Sequence, residues 1–130
     1  MRNVILHRDL TDVVVGETCK VMRGTLDGPY TGKMISFERG QNTSDDVQID
    51  HVVALSNAWQ TGAQQLSQQQ RIELANDPLE LLAVEGQANQ AKSDGDAATW
   101  LPPNKSFRCQ YVARQVAVKK KYALDRKSVV

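Results

Sequence analysis

The hydrophobic period of this chain changes near residue 54. Before it, apolar residues come in short β-branched runs; after it, they recur mostly at helical spacing. In "CKVMRGTLDGPYTGKMISF" (19–37), two β-favouring runs flank the Gly/Pro-rich connection "LDGPYTGK", as in a hairpin or a pair of linked strands. After the polar "ERGQNTSDD", the segment "VQIDHVV" (47–53) alternates Val47, Ile49 and His51 with more polar neighbours and predicts a third strand. Residues 55–78 read as helical, with Ser67 as an N-cap, Gln70 in the capping-box position and Pro78 past the end. "LELLAV" (79–84) predicts a short strand or turn stopped by Gly86, and "QANQAKSDGD" (87–96) begins as a helical turn. "WLPPN" (100–104) breaks the chain before a last helix from about Lys105 to Ala123. Its apolar side is expected to hold Phe107, Tyr111, Val118 and Tyr122, with Val112 and Val116 alongside. At the start, Leu6, Leu10 and Val14 fall at four-residue spacing, so residues 3–14 read as a short helix or an extended arm.

A length of 130 residues suits one domain with a real core, and the composition is that of a soluble globular chain. No apolar run is long enough to cross a bilayer. "MRNVILHRDL" lacks the features of a signal peptide, so a cytosolic protein or a mature fragment is expected. The net charge of +1 hides an asymmetry: residues 1–91 carry seven Lys/Arg against twelve Asp/Glu, and residues 92–130 carry nine against three. A basic C-terminal third suits either an anionic partner or a solvated helix face. Cys19 and Cys109 form no C-x-x-C pair, which argues against structural zinc. Two buried free thiols are the plain expectation. A disulfide between them would instead close a loop of about 90 residues, worth ~4 kcal/mol in an oxidising compartment.

Two segments carry candidate chemistry. Asp50 and His51 are adjacent on a strand and point to opposite faces unless the strand ends and bends there. In "EGQANQAKSDGD" (85–96), Asn89 and Lys92 lie one helical turn apart, an amide oxygen suited to a hard cation and an ammonium suited to a phosphate. Each segment alone also reads as ordinary structure. "HRDL" (7–10) spells part of a kinase catalytic loop, but no Gly-rich loop or D-F-G accompanies it, and the match is chance.

In combination, Asp50, His51, Leu55, Leu81, Leu82, Asn89 and Lys92 resemble the HNH nuclease pattern, D-H-[IV]-x-x-L, then N-L-L, then N-x-x-K or H-x-x-K. More closely, "QIDHVVALSNAWQTGAQQL" and "ANDPLELLAVEGQANQAKSDGDAATWLPPNKSFRCQYVARQVAVK" are similar to actinobacterial, mostly exported HNH proteins related to the C-terminal nuclease part of GmrSD-type restriction enzymes. The resemblance covers nearly the whole chain. One departure stands out: Glu80 occupies the place of the family's middle Asn, a brace of the catalytic loop. A carboxylate cannot copy both halves of an amide's bonding. Glu80 therefore either impairs the site, leaving a nucleic-acid-binding domain, or bonds a backbone N–H and leaves the site competent.

The resemblance implies an α+β fold with a ββα-metal (His-Me finger) core at about 47–96, an N-terminal arm at 1–18 and a basic C-terminal helix at about 105–123, all in one domain. It implies a metal-dependent endonuclease that hydrolyses DNA, or alternatively RNA, with weak sequence preference. Asp50 and Asn89 would ligate one divalent metal, Mg²⁺ or Mn²⁺, and His51 would be the general base. Lys92, Arg108 and Arg114 would contact nucleic-acid phosphates. No membrane partner and no small-molecule cofactor are expected. The family's habit points to secretion or the cell envelope, with the cytoplasm as the alternative.

Overall fold

In the computed structural model, residues 1–40, 44–96 and 99–124 are described. The elements run α1 (Arg2–Asp9), β1 (Thr11–Val15), β2 (Val21–Asp27), β3 (Met34–Glu38), β4 (Val47–His51), α2 (Leu55–Thr61), α3 (Gln68–Ala75), β5 (Leu81–Glu85), α4 (Gly86–Lys92) and α5 (Arg108–Lys121). This is a mixed α+β architecture with two small sheets. The expected hairpin forms: β2 and β3 pair antiparallel from Arg23↔Glu38 to Asp27↔Met34, and β1 lies on the other edge of β2. β4 does not join that sheet. It pairs antiparallel with β5, from Val47↔Glu85 to His51↔Leu81. Two helices fill the connection between these strands, and α4 follows β5 directly.

Strand β5 explains how so small a chain is held together. All five of its residues are buried, and successive side chains face opposite sides. Leu81 and Ala83 join Ile5, Leu6, Val21, Leu26, Phe37 and Val47 in a core shared by α1 and both sheets. Leu82 and Val84 join Tyr30, Val52, Ala88 and Tyr111 on the other side. A third cluster, including Val53, Ala58, Leu74 and Val118, packs α2 and α3 against α5. Within "HRDL", Arg8 donates to Pro78 O and Leu81 O, each at 2.7 Å, and Asp9 Oδ2 accepts the Ala83 N–H at 2.9 Å. These bonds satisfy backbone groups on β5 and on the turn before it and fasten α1, whose Ile5 and Leu6 are fully buried.

The helix signals at residues 67–78 are reproduced. Ser67 Oγ accepts the Gln70 N–H at 3.1 Å, and Gln70 Oε1 accepts the Ser67 N–H at 3.0 Å, a complete capping box. Two expectations need correction. Val112 and Val116 are exposed, because the inward stripe of α5 runs through Tyr111, Gln115 and Val118. Gln115 earns its interior place by donating to Val52 O and to Tyr111 Oη, both at 2.9 Å. Cys19 and Cys109 are free thiols, and both are exposed rather than buried.

The loop between β2 and β3 packs on the end of β5. The buried carboxylate of Glu85 accepts the Tyr30 N–H at 3.2 Å, the Thr31 N–H, and the Thr31 hydroxyl at 2.5 Å. Gly28 permits this approach, since a Cβ there would overlap the Glu85 carboxylate. Gly28→Ala should therefore cost roughly 1–3 kcal/mol by urea denaturation. An unchanged midpoint would show that the loop does not depend on this contact.

Candidate functional site

Asp50 is 6% exposed, a carboxylate withdrawn from water. Because Asp50 pairs across with Leu82, its side chain faces the aromatic cluster, which offers little solvation. Lys92, from the last turn of α4, supplies the counter-charge. Its Nζ lies 2.9 Å from Asp50 Oδ2 and 3.1 Å from Oδ1, and also donates to His51 O at 2.7 Å, which uses all three of its hydrogens. Tyr30 Oη donates to Asp50 Oδ2 from the opposite side. Burial raises the Asp50 carboxyl above its ordinary range, while the Lys92 ammonium and the Tyr30 hydroxyl pull it part of the way back. Burial first, and Asp50 second, keep the Tyr30 phenol protonated far above its usual value.

His51 lies at the end of β4, with Nε2 3.0 Å from Ala75 O in the last turn of α3. A carbonyl can only accept, so Nε2 is the donor in this contact and Nδ1 is the ring nitrogen it leaves unengaged. Asn89, on α4, donates from Nδ2 to Gln48 Oε1 at 2.8 Å. That bond sets the amide's orientation, and its Oδ1 receives no donor among the described residues. Asp50, His51 and Asn89 line one open cleft of about 330 Å³, together with Ile49, Ala54, Leu55, Ser56, Ser93 and Asp94. Asp94 accepts the Ser56 hydroxyl at 3.2 Å, and Asp96 closes a turn by accepting the Thr99 N–H at 3.1 Å. Among the described residues, no group of three or more His, Cys, Asp and Glu is placed to hold a metal ion. A cation in this cleft would therefore draw on the Asn89 amide and on water besides Asp50.

The other candidate residues lie elsewhere. The Lys92 side chain has no exposed surface, so its ammonium serves Asp50 and does not face solvent where a phosphate would meet it. Arg108 Nε donates to Pro102 O at 2.8 Å, and Arg114 Nη1 donates to Leu79 O at 2.8 Å. Glu80 does not line the cleft. It is fully buried, with Oε1 accepting the Val53 N–H at 2.6 Å and its backbone carbonyl accepting the Val52 N–H at 2.8 Å. Glu80 thus bonds the turn that follows His51. Its Oε2 has no partner among the described residues, and burial pushes the carboxyl up to about 8, which favours its protonated form. Sequence reasoning missed Tyr30 and Gln48. Gln48 sits two residues before Asp50 on the same strand face, a usable signal, whereas nothing local to Tyr30 connects it to Asp50.

Two outcomes follow from these environments. The folded protein binds the Glu80 proton more tightly than the unfolded chain, whose value is near the ordinary 4.5. Its contribution is complete below that value and is lost as pH rises through about 8, at a rate of at most ~1.4 kcal/mol per pH unit. Glu80→Gln should remove this loss, so thermal unfolding should show the variant gaining on the parent from pH 5 to pH 9; parallel profiles would contradict it. Lys92→Ala leaves a buried carboxylate unpaired and should cost roughly 3–5 kcal/mol in urea denaturation, whereas a surface lysine would cost almost nothing.

A family model described as the C-terminal domain of GmrSD restriction endonucleases matches residues 2–127. A relative from Arthroderma benhamiae, described as an uncharacterized secreted protein, is 39% identical over 126 residues, covering 95% of this chain. The chain spans 59% of that relative's length. No solved structure matches this chain. With nearly all of its length matched, the chain belongs to the GmrSD restriction endonuclease C-terminal domain family.

Proposed function

We propose that this protein is a metal-dependent endonuclease of the HNH type that hydrolyses phosphodiester bonds in nucleic acid, with DNA as the first substrate to test. Family membership supports the nuclease class. The observation that carries the finer reading is that Asp50, His51 and Asn89 share one open cleft although they come from two different elements.

The donor set fits a hard divalent cation such as Mg²⁺ or Mn²⁺. Asp50 Oδ1 accepts only the Lys92 bond, and Asn89 Oδ1 accepts none among the described residues, so both oxygens keep lone pairs. When bound, the ion would supply positive charge against which charge developing on the phosphate is stabilised. His51 takes a proton from the attacking water at Nδ1. Ala75 O, already bonded to Nε2–H, holds the ring's orientation and favours the imidazolium that results. Lys92 and Tyr30 keep the Asp50 carboxylate in place from the protein side. Glu80 positions the turn after His51 through the Val53 N–H, which supports a competent loop rather than an impaired binding domain.

Export is part of the proposal, resting on the relative described as secreted. Among the described residues, no helix is long and apolar enough to cross a membrane. Contacts confined to the backbone would carry little sequence information, so weak sequence preference is expected, with binding that falls as salt rises.

Nicking of supercoiled plasmid tests the reading. Cleavage should require Mg²⁺ or Mn²⁺, stop in EDTA, and fall roughly 10²–10⁴-fold in His51→Ala. Cleavage that persists at the parent rate in EDTA or in His51→Ala would overturn it.

A further inference from the structure

Helix α2 carries an exposed face that the chemistry above does not use. Leu55 and Ser56 line the cleft, and Trp59 lies one helical turn beyond Leu55 on the same side of the helix. Leu55 is 44% exposed and Trp59 48%. Isolated exposed apolar side chains are ordinary, but Trp59 differs in being held. The Arg71 guanidinium lies 4.7 Å from the ring centroid. Arg71 is itself fixed, with Nε donating to Ala63 O and Nη2 to Gln64 O, both at 2.9 Å. Those carbonyls belong to the 3₁₀ turn after α2, so Arg71 cannot leave the ring without breaking both bonds. Its Nη1 makes no bond among the described residues.

A half-open indole, stiffened by a cation with a spare donor and one helical turn from the cleft-lining Leu55, has the properties that base stacking requires. Both side chains are held by contacts within the protein before anything binds, which lowers the cost of ordering them on binding. We propose that Trp59, braced by Arg71, is a stacking platform for an unpaired base of a single-stranded nucleic acid whose backbone passes through the Asp50–His51–Asn89 cleft. The proposal rests on the nuclease reading for the identity of the ligand. Within a duplex, neighbouring base pairs cover both faces of each base, so the platform selects single-stranded or locally opened substrate. It does so without sequence preference, because every base has a π face. Arg71 Nη1 is the donor for a phosphate beside the stacked base.

The test is anisotropy of a labelled single-stranded oligonucleotide, and of the duplex of the same sequence, titrated with the full chain in EDTA so that cleavage does not intervene. Trp59→Ala should weaken single-strand binding roughly 5- to 100-fold while duplex binding stays within about twofold, and Trp59→Phe should retain most of the single-strand affinity. Circular dichroism and the unfolding midpoint of Trp59→Ala should match the parent, since the ring is half exposed. Equal losses for single strand and duplex, an unchanged single-strand affinity, or a Trp59→Phe as weak as Trp59→Ala would overturn the platform. Plasmid cleavage is read separately. Binding as expected without metal-dependent cleavage removes the nuclease reading and keeps the platform, cleavage with an indifferent Trp59→Ala removes only the platform, and no binding of the single strand overturns the platform while cleavage alone decides the nuclease reading.

Discussion

The cleft depends on a carboxylate that has been taken out of water. Asp50, at 6% exposure, is held there because Lys92, with no exposed side-chain surface, and Tyr30 both bond it. Such a pair adds little net stability, since desolvating two charges offsets most of their attraction, but removing one partner is costly. Its consequence is positional. Lys92 joins the Asp50 side chain to the His51 carbonyl, so the end of β4 and the last turn of α4 cannot move independently. Asn89 lies one turn earlier on the same helix and is tied to β4 again through Gln48. The facing of Asp50, His51 and Asn89 across one cleft is thus enforced from beneath.

That arrangement is in turn supported from the first sheet. Glu85 gathers the loop carrying Tyr30 through two backbone N–H groups and a hydroxyl. Tyr30 then packs edge-on against Trp100 and Tyr111, with ring centroids 5.0 and 5.6 Å away, before reaching Asp50. Gln115 extends the connection to α5 by bridging Tyr111 Oη and Val52 O. A carboxylate on β5, an aromatic cluster and the cleft carboxylate therefore form one chain of contacts. Glu80 stands beside it, its carboxyl raised by burial and bonding the next turn.

Much of this was legible in the sequence because it is local. The capping box at Ser67 and Gln70, the β2–β3 hairpin and the strand through Asp50 and His51 all follow from neighbouring residues and periodicity. The grouping of Asp50 with His51 and Asn89 came from spacing matched to a family pattern, and the three do line one cleft. What escaped was set by partners distant in sequence. Lys92 is a surface cation by composition and a buried one in the fold, because Asp50, 42 residues earlier, needs its charge. Arg108 and Arg114 read as phosphate contacts on a basic helix, and nothing in the sequence signals that each also donates to a backbone carbonyl. Gln115 looks polar and outward, yet its two interior bonds set the phase of α5 and turn Val112 and Val116 outward. No periodicity argument contains that information.

The central claim is that Asp50 and Asn89 together form the cation position of the cleft. An anomalous difference map from crystals of the protein soaked in Mn²⁺ tests it most directly. The expected result is one strong peak within ligand distance of Asp50 Oδ1 and Asn89 Oδ1 on the His51 side, absent in Asn89→Ala. An anomalous peak only elsewhere, or none in the cleft at saturating Mn²⁺, would contradict the account.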